Sequence, residues 1–365
     1  MLPVGSSEGL SAGLFAHITA EYVFWVAPGA HAAEGTELMS PRLKRTLKAL
    51  AASGMAWRAC AALRKPGVVV LMYHRVVPPG GPFDGLSPKL FREQMLWVKR
   101  RCLAIAPEEY ADAVSQPSRW RPFVLVTFDD AFRDYYEHAY PVLQDLGIPA
   151  VVFAPTAFMG TTRLIWTDAV AWAFHRTARQ RIEVPWASGS HWVLGEREAQ
   201  RRAVSAAKQY LKGIPDRERM AQQLRLFEAL GVDPDDGSAG RQMMTWDEVR
   251  STLKLTRYGG HSHTHPILSQ ISRHQIDAEV RQCRDTIAQE TGVVPRYFAY
   301  PNGRRQDFSV AVKESLREHG FELAFSTIPG VNDKDTDRYA IRRQPTTAGR
   351  IADFAWLVAG RGVTG

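Results

Sequence analysis

Cysteine is scarce: the 365 residues hold only Cys60, Cys102 and Cys283, odd in number and far apart. This gives no basis for a disulfide framework or a cysteine zinc site, so the chain does not need an oxidising compartment to fold. Long apolar runs are missing too. The best one, Leu14 to Ala27, is interrupted by His17, Thr19 and Glu21, which argues against a membrane span. It has no positive n-region, which argues against a signal peptide. Residues 1–38 lack Lys and Arg and carry Glu8, Glu21, Glu34 and Glu37 without periodicity. They read as a disordered extension, with Met39 as an alternative start of translation. Internal repeats are also missing.

What is present is an ordinary globular composition, 45% apolar and 23% charged. Lys and Arg outnumber Asp and Glu by 46 to 38, and the pI is near 9.5. This excess permits attraction to acidic polysaccharide, phospholipid or nucleic acid without choosing among them. Part of it is local: residues 41–65 contain seven basic and no acidic residues, with Leu43, Leu47, Leu50 and Trp57 at helical spacing. A basic amphipathic helix is expected over 39–66, lying on an anionic membrane surface or packing on its own domain.

The folded core is expected to begin at the apolar run Val68 to His74. Ser87-Pro88 has the form of an N-cap followed by an N1 proline and opens a helix to about Arg101. The strand Val124 to Phe128, a helix from Phe132 to Leu146-Gly147 and the strand Ile148 to Phe153 form a β-α-β unit, which favours a parallel sheet. From 161 to 244 the pattern turns helical, with Met220, Leu224 and Phe227 as one stripe, and reads as an insertion. Thr245 with Glu248 and Ser272 with Gln275 have capping-box spacing. Strands are expected at Leu255–Gly260, Arg296–Tyr300, Phe321–Phe325 and Tyr339–Arg343. This alternation describes a barrel or an open doubly wound sheet.

Two stretches carry chemistry. The strand Val124-Leu125-Val126-Thr127-Phe128 ends in adjacent carboxylates, Asp129 and Asp130. At low dielectric such a pair repels unless a cation compensates; the plainer alternative is that Asp130 caps the following helix. The second stretch is His261-Ser262-His263-Thr264-His265-Pro266. If extended, it projects all three imidazoles to one side; if helical, His261 and His265 share a face. Either way two imidazoles and one aspartate match a facial site for a divalent metal such as zinc, with positions open for water and substrate.

Thr127-Phe128-Asp129-Asp130, His261-Ser262-His263-Thr264-His265 and Phe298-Ala299-Tyr300-Pro301-Asn302-Gly303 together resemble the three ordered motifs of the polysaccharide deacetylases, the NodB-homology family or carbohydrate esterase family 4. The resemblance covers roughly residues 67–350. It implies an α/β fold, a distorted (β/α)7 TIM-like barrel over 67–355, here with the helical insertion 161–244 and an N-terminal helical extension. It implies that Asp130, His261 and His265 hold a divalent metal, Zn2+ first and Co2+, Ni2+ or Mn2+ as alternatives, and that Asp129 is the base. It also implies that the metal and the backbone N–H of Asn302 hold an oxyanion, and it leaves His263 outside the metal set.

Two departures from the family pattern stand out. The third-motif arginine that pairs with the catalytic aspartate aligns with Ala299, so a substitute is sought among Arg296, Arg342 and Arg343, with Arg343 preferred. The final L-x-H motif is absent, no histidine following His319, so protonation of the leaving amine falls to Asp129 itself or to another group, for which His74 on the first strand is a candidate. Trp166, Trp172, Trp186 and Trp192, in the insertion, serve either as core or as platforms for sugar faces. The expected partner is an N-acetylated glycan, with peripheral membrane association through 41–65 and no nucleic acid. A cytoplasmic or membrane-peripheral location follows. The expected activity is metal-dependent removal of N-acetyl groups from hexosamine units. The alternatives are a non-catalytic glycan-binding relative and a deacetylase of a small or lipid-linked amide.

Overall fold

The apolar runs pair edge to edge because strands this rich in Val, Leu and Phe must be covered on both faces. The computed structural model describes residues 66–118, 120–346 and 349–361, all within one unit, Leu50–Val363. The extension 1–38 and the basic segment 39–66, apart from Pro66, lie outside the described residues.

The main sheet contains β1 (Val68–Tyr73), β2 (Leu103–Ala104), β3 (Phe123–Phe128), β4 (Ala150–Ala154), β7 (Thr256–Gly260), β8 (Tyr297–Ala299), β9 (Leu323–Phe325) and β10 (Gln344–Pro345). Their spatial order is β10-β1-β3-β4-β7-β8-β9, with β2 beside β3, and every pairing is parallel. The sheet curls because one segment serves both of its edges. Ile341 bridges Phe325 of β9, while Gln344 three residues later stands opposite Leu71 of β1. This is the distorted seven-stranded barrel.

Alternation along the strands sorts two cores. Val69, Leu71, Val126 and Phe128 face outward against α1 (Pro88–Arg101) and the helix α3 (Tyr140–Leu146), which follows the short α2 (Tyr110–Ser115). Val68, Val70, Leu125, Val151, Phe153, Phe325 and Ile341 fill the barrel interior. A packed interior leaves only the mouth at the strands' C-terminal ends for a ligand.

The helix signals hold. Ser87 Oγ accepts from the Leu90 amide at 3.3 Å, and α3 closes on Gly147 with φ 62°. Both capping boxes form, at α7 (Trp246–Thr252) and α8 (Arg273–Thr291). α8 buries Ile276, Val280, Cys283 and Ile287 as one face.

The insertion differs from its all-helical expectation. Helices α4 (Trp166–Arg176), α5 (Arg197–Lys212) and α6 (Asp216–Leu230) are joined by an antiparallel hairpin of β5 (Arg181–Glu183) and β6 (His191–Val193). The expected stripe on α6 holds only at Phe227: Met220 and Leu224 are 56% and 63% exposed. Beside Phe227 the helix buries Leu226 and Leu230, since its packing face, not the spacing alone, decides. Trp166 and Trp172 are buried in the insertion's own core, with Trp186 and Trp192 packed against it. The expected last strand, Tyr339–Arg343, shrinks to a bridge at Ile341, and β10 follows it. Helix α9 (Val310–Glu318) precedes β9, and α10 (Ile351–Trp356) packs on α1.

Candidate metal centre

Three loops at the barrel mouth depart from ordinary backbone geometry. Among the described residues, five non-glycine residues have positive φ: Asp130 and Ala131 after β3, Ser262 and His265 after β7, and Asn302 after β8. Such conformations cost roughly 1–3 kcal/mol each and persist where the surroundings over-determine them. Here they turn side chains inward that a continuing strand or helix would send elsewhere. Gly260 lets β7 pack tightly before His261, since an added Cβ would stand 2.9 Å from Phe298 and 3.1 Å from Cys283.

Asp130 does not cap a helix. Its Oδ1 lies 3.4 Å from His261 Nε2 and 3.3 Å from His265 Nε2, and no hydrogen bond reaches that oxygen. His261 Nδ1 donates to the Ala299 carbonyl at 2.7 Å, which leaves Nε2 as the ligating nitrogen. Ligand atoms of Asp130, His261 and His265 lie within 4.8 Å of one another, and all three residues are buried. A divalent cation fits this set: two imidazole nitrogens and an orphaned carboxylate oxygen converge where hydrogen bonds do not satisfy them. Burial pushes the Asp130 carboxyl up, but the two imidazoles outweigh it and hold it well below the usual carboxylate range. His263 points away, its Nδ1 2.8 Å from Thr156 Oγ1.

Asp129 goes to a different partner. Arg343 donates to both its oxygens, at 2.6 and 2.8 Å, with the arginine wholly buried and Asp129 2% exposed. Arg343 Nε donates to the Ser326 carbonyl at 2.8 Å, which fixes the fork. Burial pushes the Asp129 carboxyl up, but Arg343, with His261 and His74, more than reverses this and holds it below its ordinary value. Of the other two arginines, Arg296 pairs with surface Glu322 at 2.5 Å and Arg342 is exposed. His74 Nε2 stands 3.8 Å from Asp129 Oδ2, half-exposed. Asn302 Nδ2 is buried without a partner, and the Asn302 carbonyl accepts from Thr327 Oγ1 at 2.8 Å.

One participant had no signal in the sequence. Glu279 of α8 accepts the His263 and Thr264 amides at 2.7 Å each and the Thr264 hydroxyl at 2.5 Å, which clamps the histidine loop. Only the packing of α8 beside that loop brings it there. The Asp129, Asp130, His261, His265, His74 and Asn302 side chains line one cavity of about 410 Å³. Its wall is stiffened by Arg75, which is bonded to Asp134 and Asp168 and lies 3.5 Å from the centre of the Phe132 ring.

A parallel barrel with a buried aspartate and two histidines at its mouth defines the class, a barrel protein with a side-chain group that could hold a metal ion. Comparison with known proteins narrows it. Residues 238–324 match the family model described as polysaccharide deacetylase, a span that includes the second and third motifs but not Asp129, Asp130 or Arg343. YxkH of Bacillus subtilis (strain 168), assigned by name to the polysaccharide deacetylases, is 33% identical over 86 residues, which is 23% of this chain and only 30% of that relative. IcaB from Ammonifex degensii superposes with a TM-score of 0.53 at 20% identity, covering 80% of this chain and 98% of its own. The Streptococcus pyogenes deacetylase PplD, solved with acetate, gives 0.50 at 16% identity over 77% and 93% of the two chains. The resemblance to the polysaccharide deacetylases therefore stands on sequence in the C-terminal half and on fold through most of the chain. No described helix is long and apolar enough to cross a membrane.

Proposed function

We propose that the protein is a metal-dependent hydrolase that removes N-acetyl groups from hexosamine units of a glycan. One observation carries this reading: the metal-ready Asp130, His261 and His265 share a cavity with a carboxylate, Asp129, that is outside their set and held by Arg343. A divalent cation there, Zn2+ by its affinity for an N2O donor set or else Co2+, Ni2+ or Mn2+, would polarise water and an acyl oxygen. Asp129 is the base that takes a proton from water. Arg343 orients it and keeps it ionised. His74, 3.8 Å away, relays a proton toward the departing amine, and the backbone N–H of Asn302, in the positive-φ turn after β8, is the donor to the developing oxyanion.

The test is acetate release from N-acetylated chito-oligosaccharides by the Zn2+-loaded protein, with bound metal measured alongside. Asp129→Asn should retain metal and lose roughly a thousandfold in rate. Glycan binding by the wild type without acetate release from any such substrate would replace this reading with a non-catalytic binding protein.

A further inference from the structure

One wall of the cavity takes no part in the chemistry just described. Helix α5 of the insertion lays Lys208 and Lys212 along it, four residues apart and so on one face. Both are half-buried, and burial pushes both ammonium groups below their ordinary pKa, Lys212 being further lowered by Arg304 and by Lys208 itself. Among the described residues neither ammonium has an ion-pair partner. The carboxylates that feel them are committed elsewhere, apart from exposed Asp84 at the rim. Asp168 is bonded to Arg75 at 2.5 Å, Asp307 accepts the Arg304 amide at 2.8 Å, and Asp130 belongs to the metal set.

Two neighbouring ammonium groups held out of water repel each other and lose hydration, and an oxyanion seated between them relieves both costs. We propose that Lys208 and Lys212 form an anion subsite, so that the substrate carries a carboxylate or phosphate oxyanion on or beside the N-acetylhexosamine. This rests on the deacetylase reading, because the lysines line the same cavity of about 410 Å³ as Asp129, Asp130, His261 and His265. The oxyanion comes either from a uronic acid in the glycan or from a phosphate linking the sugar to a carrier.

The experiment compares three substrates with the metal-loaded protein: neutral chitotetraose, a tetrasaccharide alternating N-acetylglucosamine with glucuronate, and UDP-N-acetylglucosamine. One of the two charged substrates should exceed chitotetraose in kcat/KM by about tenfold or more, and which one does so identifies the source of the anion. In the double variant Lys208→Gln with Lys212→Gln that preference should vanish through KM, whereas the double arginine variant should keep it. Equal or better turnover of chitotetraose by the wild type, or a preference that survives the glutamine changes, would overturn the subsite. Calorimetry of wild type and glutamine variant with glucuronate and inorganic phosphate separates the two readings. If no substrate is deacetylated yet anion binding requires the lysines, the deacetylase reading falls and the subsite stands. Absence of anion binding to the wild type sinks the subsite whatever the turnover.

Discussion

Replacing Arg343 by Gln probes how the site is held together. The change strips a buried carboxylate of its principal counter-charge and frees the Ser326 carbonyl that Nε now satisfies. Unit charges about 4 Å apart interact by about 4 kcal/mol at an effective dielectric near 20. Removing one partner of a buried pair costs roughly 3–5 kcal/mol, because the other is left charged and uncompensated. At about 2–4 °C per kcal/mol, the melting midpoint should fall by on the order of 10 °C. The pH dependence follows from the sign of the shift. In the wild type the folded Asp129 pKa is depressed, so its stabilising contribution is present above the unfolded value of about 3.9 and is lost as pH falls through the folded one. In the variant burial acts without its main opponent and the folded pKa rises. The resulting penalty is then present at neutral pH and fades in acid. Urea denaturation of both chelated proteins between pH 7 and pH 4 should show a gap that narrows on acidification. The double variant Asp129→Leu with Arg343→Met should be less destabilised than either single change. A gap independent of pH together with additive single changes would refute the paired-charge account.

Other consequences are open to measurement. His265→Ala removes one of three ligands and should lower Zn2+ affinity by at least a hundredfold in a competition titration, with the fold intact by circular dichroism. Glu279→Gln should weaken metal binding by about 10–100-fold, since the loop carrying His261 and His265 loses its clamp; unchanged affinity would show that the loop holds itself. Gly260→Ala should destabilise by about 1–3 kcal/mol in urea titration through its clash with Phe298. His74→Gln should leave bound metal unchanged and slow acetate release by roughly a hundredfold, and a smaller effect would remove His74 from the proton path.

The local sequence was sufficient wherever a short-range rule applied. Strand β3 and its two carboxylates, the Ser87-Pro88 helix start, both capping boxes and the buried face of α8 follow from hydrophobic periodicity and backbone hydrogen-bond demand, which act over a few residues. The three motifs were legible through their resemblance to the ordered motifs of the polysaccharide deacetylases. Periodicity misled on α6, where Met220 and Leu224 share a face with solvent because the neighbouring elements cover a different side of the helix. The hairpin of β5 and β6 was missed because two three-residue strands leave little pattern to read. Local pattern leaves Arg296, Arg342 and Arg343 all eligible to meet Asp129. Arg343 is 214 positions away, and only the closure of the segment 341–345 between β9 and β1 carries it to the aspartate. Glu279 and the Lys208–Lys212 wall likewise exist as site features only after α8 and the insertion have packed around the mouth. The sequence by itself determined the strands, their terminal carboxylates and the histidine motif, because those depend on neighbours along the chain. Tertiary structure alone decided which charge answers which, because a buried ion pair is set by distance in space and by the absence of water around it.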